Sequence, residues 1–314
     1  MILKSILDKE DKNLAILAGN GVNRCAGDNT EKSWPALLRY LLDLVPDAVA
    51  SKRLRMQVDN LQSPELFDLA WLAAKQVDPQ AKEPPDTTGV MCRWQSQVAK
   101  KLSLWEQSDA HRRVVKYAMT RSVPLLTTNF DLCFEKTAGH TKPCREALGA
   151  RPSKERPFTP QHPWSSYMLA ADAKPLQDPT RDFAIWHLHG TALYPQSIKL
   201  GLNHYAWSIE RARQLMNGAP PVLGACWLNI FLKRKLLIVG LGLEDQEVFL
   251  RWLLIQRGAC RLRNTSAKAL SITGWYVHCL QEAMPCAKQA FLESCGLKIV
   301  CVNCFAEVYG DVWD

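Results

Sequence analysis

Six short apolar runs, separated mostly by helical patterns, constrain this chain's fold more than any other feature. They are Leu14–Ala18, Val123–Thr127, Phe183–Leu188, Leu236–Val239, Leu270–Val277 and Leu297–Val302. They are short, largely apolar and often β-branched, and read as buried strands whose two faces are both covered. Strands of this kind alternating with helices point to a parallel sheet sandwiched between helical layers.

The long interval between the first two runs is mainly helical. Trp34, Leu37, Leu38, Leu41, Leu42 and Val45 recur at helical spacing behind Ser33 as N-cap, with Pro35 in the first turn. Ser63-Pro64 opens a second helix striped by Leu66, Leu69, Ala70, Ala73 and Val77, and Pro79, Pro84 and Pro85 mark a loop after it. A third helix is expected from Asp109 to about Met119. The strand pattern resumes directly afterwards, so residues 34–120 read as a helical insertion within one domain spanning 1–314. Residues 150–182 hold many prolines and few periodic apolar positions, and read as a long surface loop. The class expected is therefore α/β: a Rossmann-like parallel sheet of about six strands with helices on both faces.

No stretch approaches the apolar length of a membrane span, and the charged run Asp8–Lys12 follows the N-terminus without the apolar core of a secretory signal. A cytoplasmic location is expected. In that reducing compartment the eleven cysteines are not a disulfide framework. Cys301 and Cys304 form the only Cys-x-x-Cys pair. With Cys279, Cys286, Cys295 and His278 nearby, they match no standard zinc spacing, so no metal is expected. The net charge of +8 favours anionic ligands, but the basic residues are scattered and their clusters short, so direct nucleic-acid binding is not expected.

Four segments carry chemistry. The first run ends in Gly19-Asn20-Gly21-Val22-Asn23, where glycines at a strand-to-helix turn let backbone N–H groups face a phosphate. Arg24 stands where a dinucleotide fingerprint has its third glycine, which argues against a standard dehydrogenase. The second run leads into Thr127-Thr128-Asn129-Phe130-Asp131, polar side chains at the carboxyl edge of the sheet; the bland alternative is an Asx turn. The third is Ile185-Trp186-His187-Leu188-His189-Gly190. On a continuous strand both imidazoles would share a face, and each could move a proton near neutral pH. The fourth is Val239-Gly240-Leu241-Gly242-Leu243-Glu244-Asp245 before a helix whose face is Val248, Phe249, Trp252, Leu253 and Ile255; Asp245 could cap that helix. His204 is a further histidine within reach, with a packing role favoured for it.

In this order the segments resemble the sirtuin-like family, in particular bacterial sirtuin-like domains of antiphage defence. Gly19–Asn23 is similar to the family's Gly-Ala-Gly-x-Ser loop, Thr128–Asp131 to its Thr-Asn-Tyr-Asp motif, Leu188-His189-Gly190 to its catalytic Leu-His-Gly, and Val239–Gly242 to its later glycine loop. Trp34-Pro35 resembles the opening of the family's first long helix. Asn20, Asn23 and Gly242 depart from the usual residues. Only Cys226 lies between His189 and the later loop, so the zinc ribbon of the protein-deacylating members is missing.

The resemblance implies NAD as substrate and cleavage of its nicotinamide–ribose bond, an NADase activity. Asn129 would hold the ribose hydroxyls or the attacking water, and His189 would act as general base or orient that water. Asp131 would hold the nicotinamide amide or orient Asn129, and His187 would act through a neighbour. The dinucleotide would lie against Gly19, Asn20, Gly21, Val22, Asn23, Thr128, Gly240, Leu241, Gly242 and Asp245. It further implies an effector of abortive infection that must be kept off. Because the sequence runs only to Asp314, control is expected from a regulatory or sensor partner protein or from homo- or hetero-oligomeric assembly. The competing readings are a deacylase or ADP-ribosyltransferase of the same fold, and a non-catalytic nucleotide-binding subunit.

Overall fold

The computed structural model describes residues 2–9, 13–25, 30–44, 93–139, 142–145, 166–169, 180–199, 201–217, 226–244, 247–263 and 274–314, with isolated helical positions at Lys52, Met56, Leu72 and Lys75. Six parallel strands form the heart of the sheet: β1 (Leu14–Ala18), β2 (Leu125–Thr127), β5 (Ile185–His187), β6 (Lys235–Val239), β7 (Gly274–Cys279) and β8 (Leu297–Val302). Their spatial order is β5-β2-β1-β6-β7-β8. The chain builds outward from β1 through β2 to β5, then returns to the other side of β1 as β6. That reversal opens a crevice at the carboxyl ends of the strands, where open α/β sheets bind ligands.

Four of the sequence-read runs shift at their ends. Val123 and Pro124 precede β2, Phe183 and Ala184 precede β5, and β6 starts one residue earlier, at Lys235. β7 extends to Cys279, and residues 270–273 lie outside those described. The sheet also gains an antiparallel pair, β3 (Lys142–Arg145) and β4 (Ser166–Leu169), joined to β5 through Met168 opposite Ile185. β4 falls inside the interval read as loop. Four residues among prolines are too short a signal, and its pairing partners are distant in sequence.

Alternation along β1 explains why its run is apolar throughout. Ala15 and Leu17 face a cluster that includes Trp186, Tyr205, Trp227, Phe231 and Phe249, contributed largely by helices Gly201–Asn217, Trp227–Lys233 and Val248–Arg263. Leu14, Ile16 and Ala18 face the other way, onto Leu7, Val114, Val115, Phe134 and Trp313. Both faces of β1 are buried, as expected in a parallel sheet covered by helices. Each fully buried side chain such as Phe249 or Leu253 contributes roughly 1.5–3 kcal/mol, so the layer beneath the crevice is firmly packed.

Between β1 and β2 the chain forms helices Trp34–Asp43, Arg93–Ser103 and Asp109–Thr120. Ser33 Oγ accepts from Ala36 N, and Ser108 caps the third helix as half of a capping box with His111. The expected Ser63–Val77 helix and the Pro79–Pro85 loop fall largely outside the described residues. Gln95, from the second of these helices, donates to the carbonyls of Gln196 and Ile198 at 3.2 Å, tying the helical segment to the loop that follows His189. No helix among the described residues is long and apolar enough to cross a membrane.

Candidate active site

The loops after β1, β2, β5 and β6 enclose a cleft of about 420 Å³, within the range of small-molecule sites. Asn129 and His189 both line it, together with Asn20, Gly21, Thr128, Asp131 and the Gly240–Glu244 loop. Asp245 lies outside the described residues.

After β2, Thr127 Oγ1 donates to Ala18 O at 3.0 Å and accepts from Asn129 N at 3.1 Å, which turns the chain sharply into the cleft. The Asn129 carboxamide makes a long 3.4 Å bond to Gly19 O. Below it lies a buried relay. His187 Nδ1 stands 2.7 Å from the Asn129 carbonyl and its Nε2 stands 2.6 Å from Glu135 Oε1. Both neighbours are acceptors, so both ring nitrogens carry protons. Burial alone would depress this imidazole, but the Glu135 carboxylate and the Asn129 carbonyl outweigh it and raise the pKa. His187 therefore fixes the backbone at Asn129 through an ion pair that never meets the cleft.

The expectation that both imidazoles share a strand face is overturned. β5 ends at His187, so the two-residue period does not reach His189. His189 instead lies against Tyr205 and Phe249, ring centroids 5.3 and 6.1 Å away, on the opposite core cluster from Phe134. Gly190 makes this turn possible. Its φ is +96°, and a Cβ there would stand 2.0 Å from Ser197 O. Lys199 N then donates to His189 O at 3.0 Å, fixing the histidine's backbone.

A residue missed in the sequence completes the arrangement. Glu247, just before the helix Val248–Arg263, places Oε2 3.4 Å from His189 Nε2, with both side chains almost fully buried. Neither imidazole nitrogen has a hydrogen-bond partner among the described residues, and neither has Glu247 Oε2. A carboxylate beside an imidazole at a cleft wall is the pairing that holds a general base in register.

The first glycine loop departs from expectation. Gly19 N donates to Val239 O, Gly21 N to Gly240 O, Val22 N to Gly19 O and Asn23 N to Asn20 O, so these amides serve the protein and not a phosphate. Gly19, Val22 and Asn23 do not line the cleft. Val22 is core, and Asn23 Nδ2 reaches 2.8 Å to Asp131 Oδ2. Asp131 thus orients Asn23, not Asn129, and its Oδ1 accepts from Cys133 N at 2.9 Å, the Asx-turn bond. What the glycines of the two loops permit is close approach: a Cβ on Gly21 would lie 2.5 Å from Gly240 Cα. Tyr276 Oη donates to Leu241 O at 2.8 Å and to Gly242 O at 3.2 Å, pinning the second loop.

His111, Asp131 and Cys133 bring possible metal-ligand atoms within 4.8 Å of one another, all three residues buried. The local bonding disfavours an ion there. Ser108 N can only donate, so His111 Nδ1 accepts at 3.0 Å and the neutral ring keeps its proton on Nε2, the atom that would have to ligate. Burial holds that imidazole down at about 4, and burial with the Asp131 carboxylate pushes the Cys133 thiol up. Among the described residues the C-terminal cysteines form no such group. Cys226 is buried and caps the helix Trp227–Lys233, and His204 packs edge-on to Trp94 outside the cleft.

A parallel α/β sheet with a histidine and an asparagine lining a cleft at its switch point has the layout in which open α/β folds bind ligands. A family model described as SIR2-like domain matches residues 124–298, more than half of the chain, and the chain belongs to that family. Its fold is therefore of the sirtuin-like, NAD-related kind. Comparison with curated proteins finds no match.

Proposed function

We propose that the protein is an NAD⁺ glycohydrolase. The observation that carries this reading is the convergence of Asn129 and His189 on one cleft, with Glu247 behind the imidazole. The bond that breaks joins C1′ of the ribose to the pyridinium nitrogen. Its electron pair leaves with nicotinamide, which departs neutral, through an oxocarbenium-like state at C1′. Water attacks C1′, and its proton passes to His189, whose developing charge Glu247 balances. Asn129 positions the ribose hydroxyls or that water. A base so placed is worth roughly 100- to 10,000-fold.

Hydrolysis is favoured over protein deacylation because the interval from His189 to Gly240 holds a single cysteine, Cys226, and that one is committed to the core. The proposal includes a role as an effector of antiphage abortive infection, resting on the likeness of the four motifs to such domains. Unchecked loss of NAD⁺ would kill the cell, so the activity would be released by a partner protein or by self-assembly.

The test is incubation of the purified chain with NAD⁺, with and without the product of the neighbouring gene, followed by chromatography for free nicotinamide. Release that is abolished by both His189→Ala and Asn129→Ala supports the proposal. Turnover that survives either change removes it.

A further inference from the structure

The helix Phe305–Tyr309 follows the last strand and lies beyond the residues matched by the family model. Its final residue reaches back into the cleft. Tyr309 is 5% exposed, lines the cleft wall, and its hydroxyl has no hydrogen-bond partner among the described residues. A buried donor left unmade is costly, and such groups are rare in folded proteins.

The position of that hydroxyl is specific. It lies over the crossing of the two glycine loops, where a Cβ added to Gly240 would stand 2.0 Å from it. At this crossing the amides of Gly19, Gly21, Val22 and Asn23 are already engaged within the protein. The space a Cβ would take on Gly21 and Gly240 is filled by the facing loop and by this hydroxyl, so the polar group the protein places at the crossing is a side-chain donor. Arg24, exposed on the same cleft wall, adds positive charge. Burial raises the Tyr309 phenol well above its ordinary range, so it stays a donor at physiological pH.

The segment is held rigidly. Arg113 Nη2 pairs with Asp311 at 2.8 Å, Trp313 Nε1 donates to Val308 O at 2.6 Å, and the Trp313 ring packs edge-on to Tyr117 at 5.5 Å. The fold therefore sets the position of this buried hydroxyl at the edge of the cleft.

We propose that Tyr309 is a phosphate-binding residue, its hydroxyl donating to a phosphate oxygen of the dinucleotide where the Gly21 and Gly240 loops cross. This makes the helix Phe305–Tyr309 part of the binding site, and it rests on the dinucleotide reading given above.

The experiment compares the whole chain with its Tyr309→Phe variant by calorimetric titration with ADP-ribose, adenosine and inorganic phosphate. Loss of one hydrogen bond to a charged oxygen is expected to weaken ADP-ribose by about 10- to 100-fold. Adenosine is expected to bind both proteins equally, and the melting temperature of the free variant is expected to hold or rise, because an unsatisfied hydroxyl has been removed. Inorganic phosphate binding as tightly as ADP-ribose would make the site one for free phosphate and overturn the assignment. Equal ADP-ribose affinity in the two proteins, or an equal loss for adenosine, would overturn the role of Tyr309 alone. No ADP-ribose binding by the unaltered protein would overturn the dinucleotide reading and this inference with it.

Discussion

Glu247 Oε2 stands 3.4 Å from His189 Nε2, and the two side chains are buried against each other at the wall of the cleft. At that separation the carboxylate sets the imidazole's orientation and steadies the charge it gains on accepting a proton. Glu247→Gln keeps the shape and removes the charge. NAD⁺ cleavage is expected to fall roughly 10- to 1,000-fold, with ADP-ribose affinity and melting temperature nearly unchanged. Parallel loss of binding and rate would make Glu247 a structural residue only.

Gly190 turns His189 out of the strand. Its φ is +96°, and a methyl group in place of its hydrogen would stand only 2.0 Å from Ser197 O. Gly190→Ala must therefore displace the Thr191–Lys199 loop that anchors the histidine's carbonyl. A cost of about 1–3 kcal/mol is expected, read as a lower melting temperature together with lost turnover. An alanine variant that melts and turns over normally would show that the turn is not required.

Much of this architecture is legible in the residues. β1 runs from end to end where its apolar run does, because a strand buried on both faces leaves no polar position to blur the boundary; β8 also keeps its bounds, although Lys298 and Cys301 on this edge strand are exposed. Asn129 and His189 are legible because polar residues closing an apolar strand fall at the ligand edge of the sheet. Glu247 is not, since its meaning depends on a histidine contributed by another strand; the available signal was an acidic residue just ahead of the apolar Val248-Phe249 pair. Nor could residue types show which acceptors occupy the amides of Gly19–Asn23, because Val239 and Gly240 reach that loop only through sheet pairing. Tyr309 belongs to no motif, and only folding brings it over Gly240.

The Glu135–His187 pair is buried and supports Asn129 from below. Removing one partner strands the other's charge, so Glu135→Gln is expected to cost about 3–5 kcal/mol near pH 6. The imidazole's folded pKa is raised, so this contribution is complete below the ordinary histidine pKa and is lost as pH rises through the folded value. The gap in melting temperature between the unaltered protein and the variant should therefore narrow toward alkaline pH. A gap that is constant with pH would remove the ionic character assigned to the pair.

His111 titrates in the opposite sense. Its folded pKa lies at about 4, below the ordinary 6.5, because burial in the protein penalises the charged ring more than Asp131 favours it. The unfolded chain therefore binds the extra proton first, and stability present above pH 6.5 is lost as pH falls toward 4. The linked free energy is roughly 3 kcal/mol. His111→Gln keeps an acceptor for Ser108 N but cannot titrate. It should flatten the dependence of melting temperature on pH between 6.5 and 4, even if it lowers stability at neutral pH. An acid limb equally steep in the variant would place the responsible protons elsewhere.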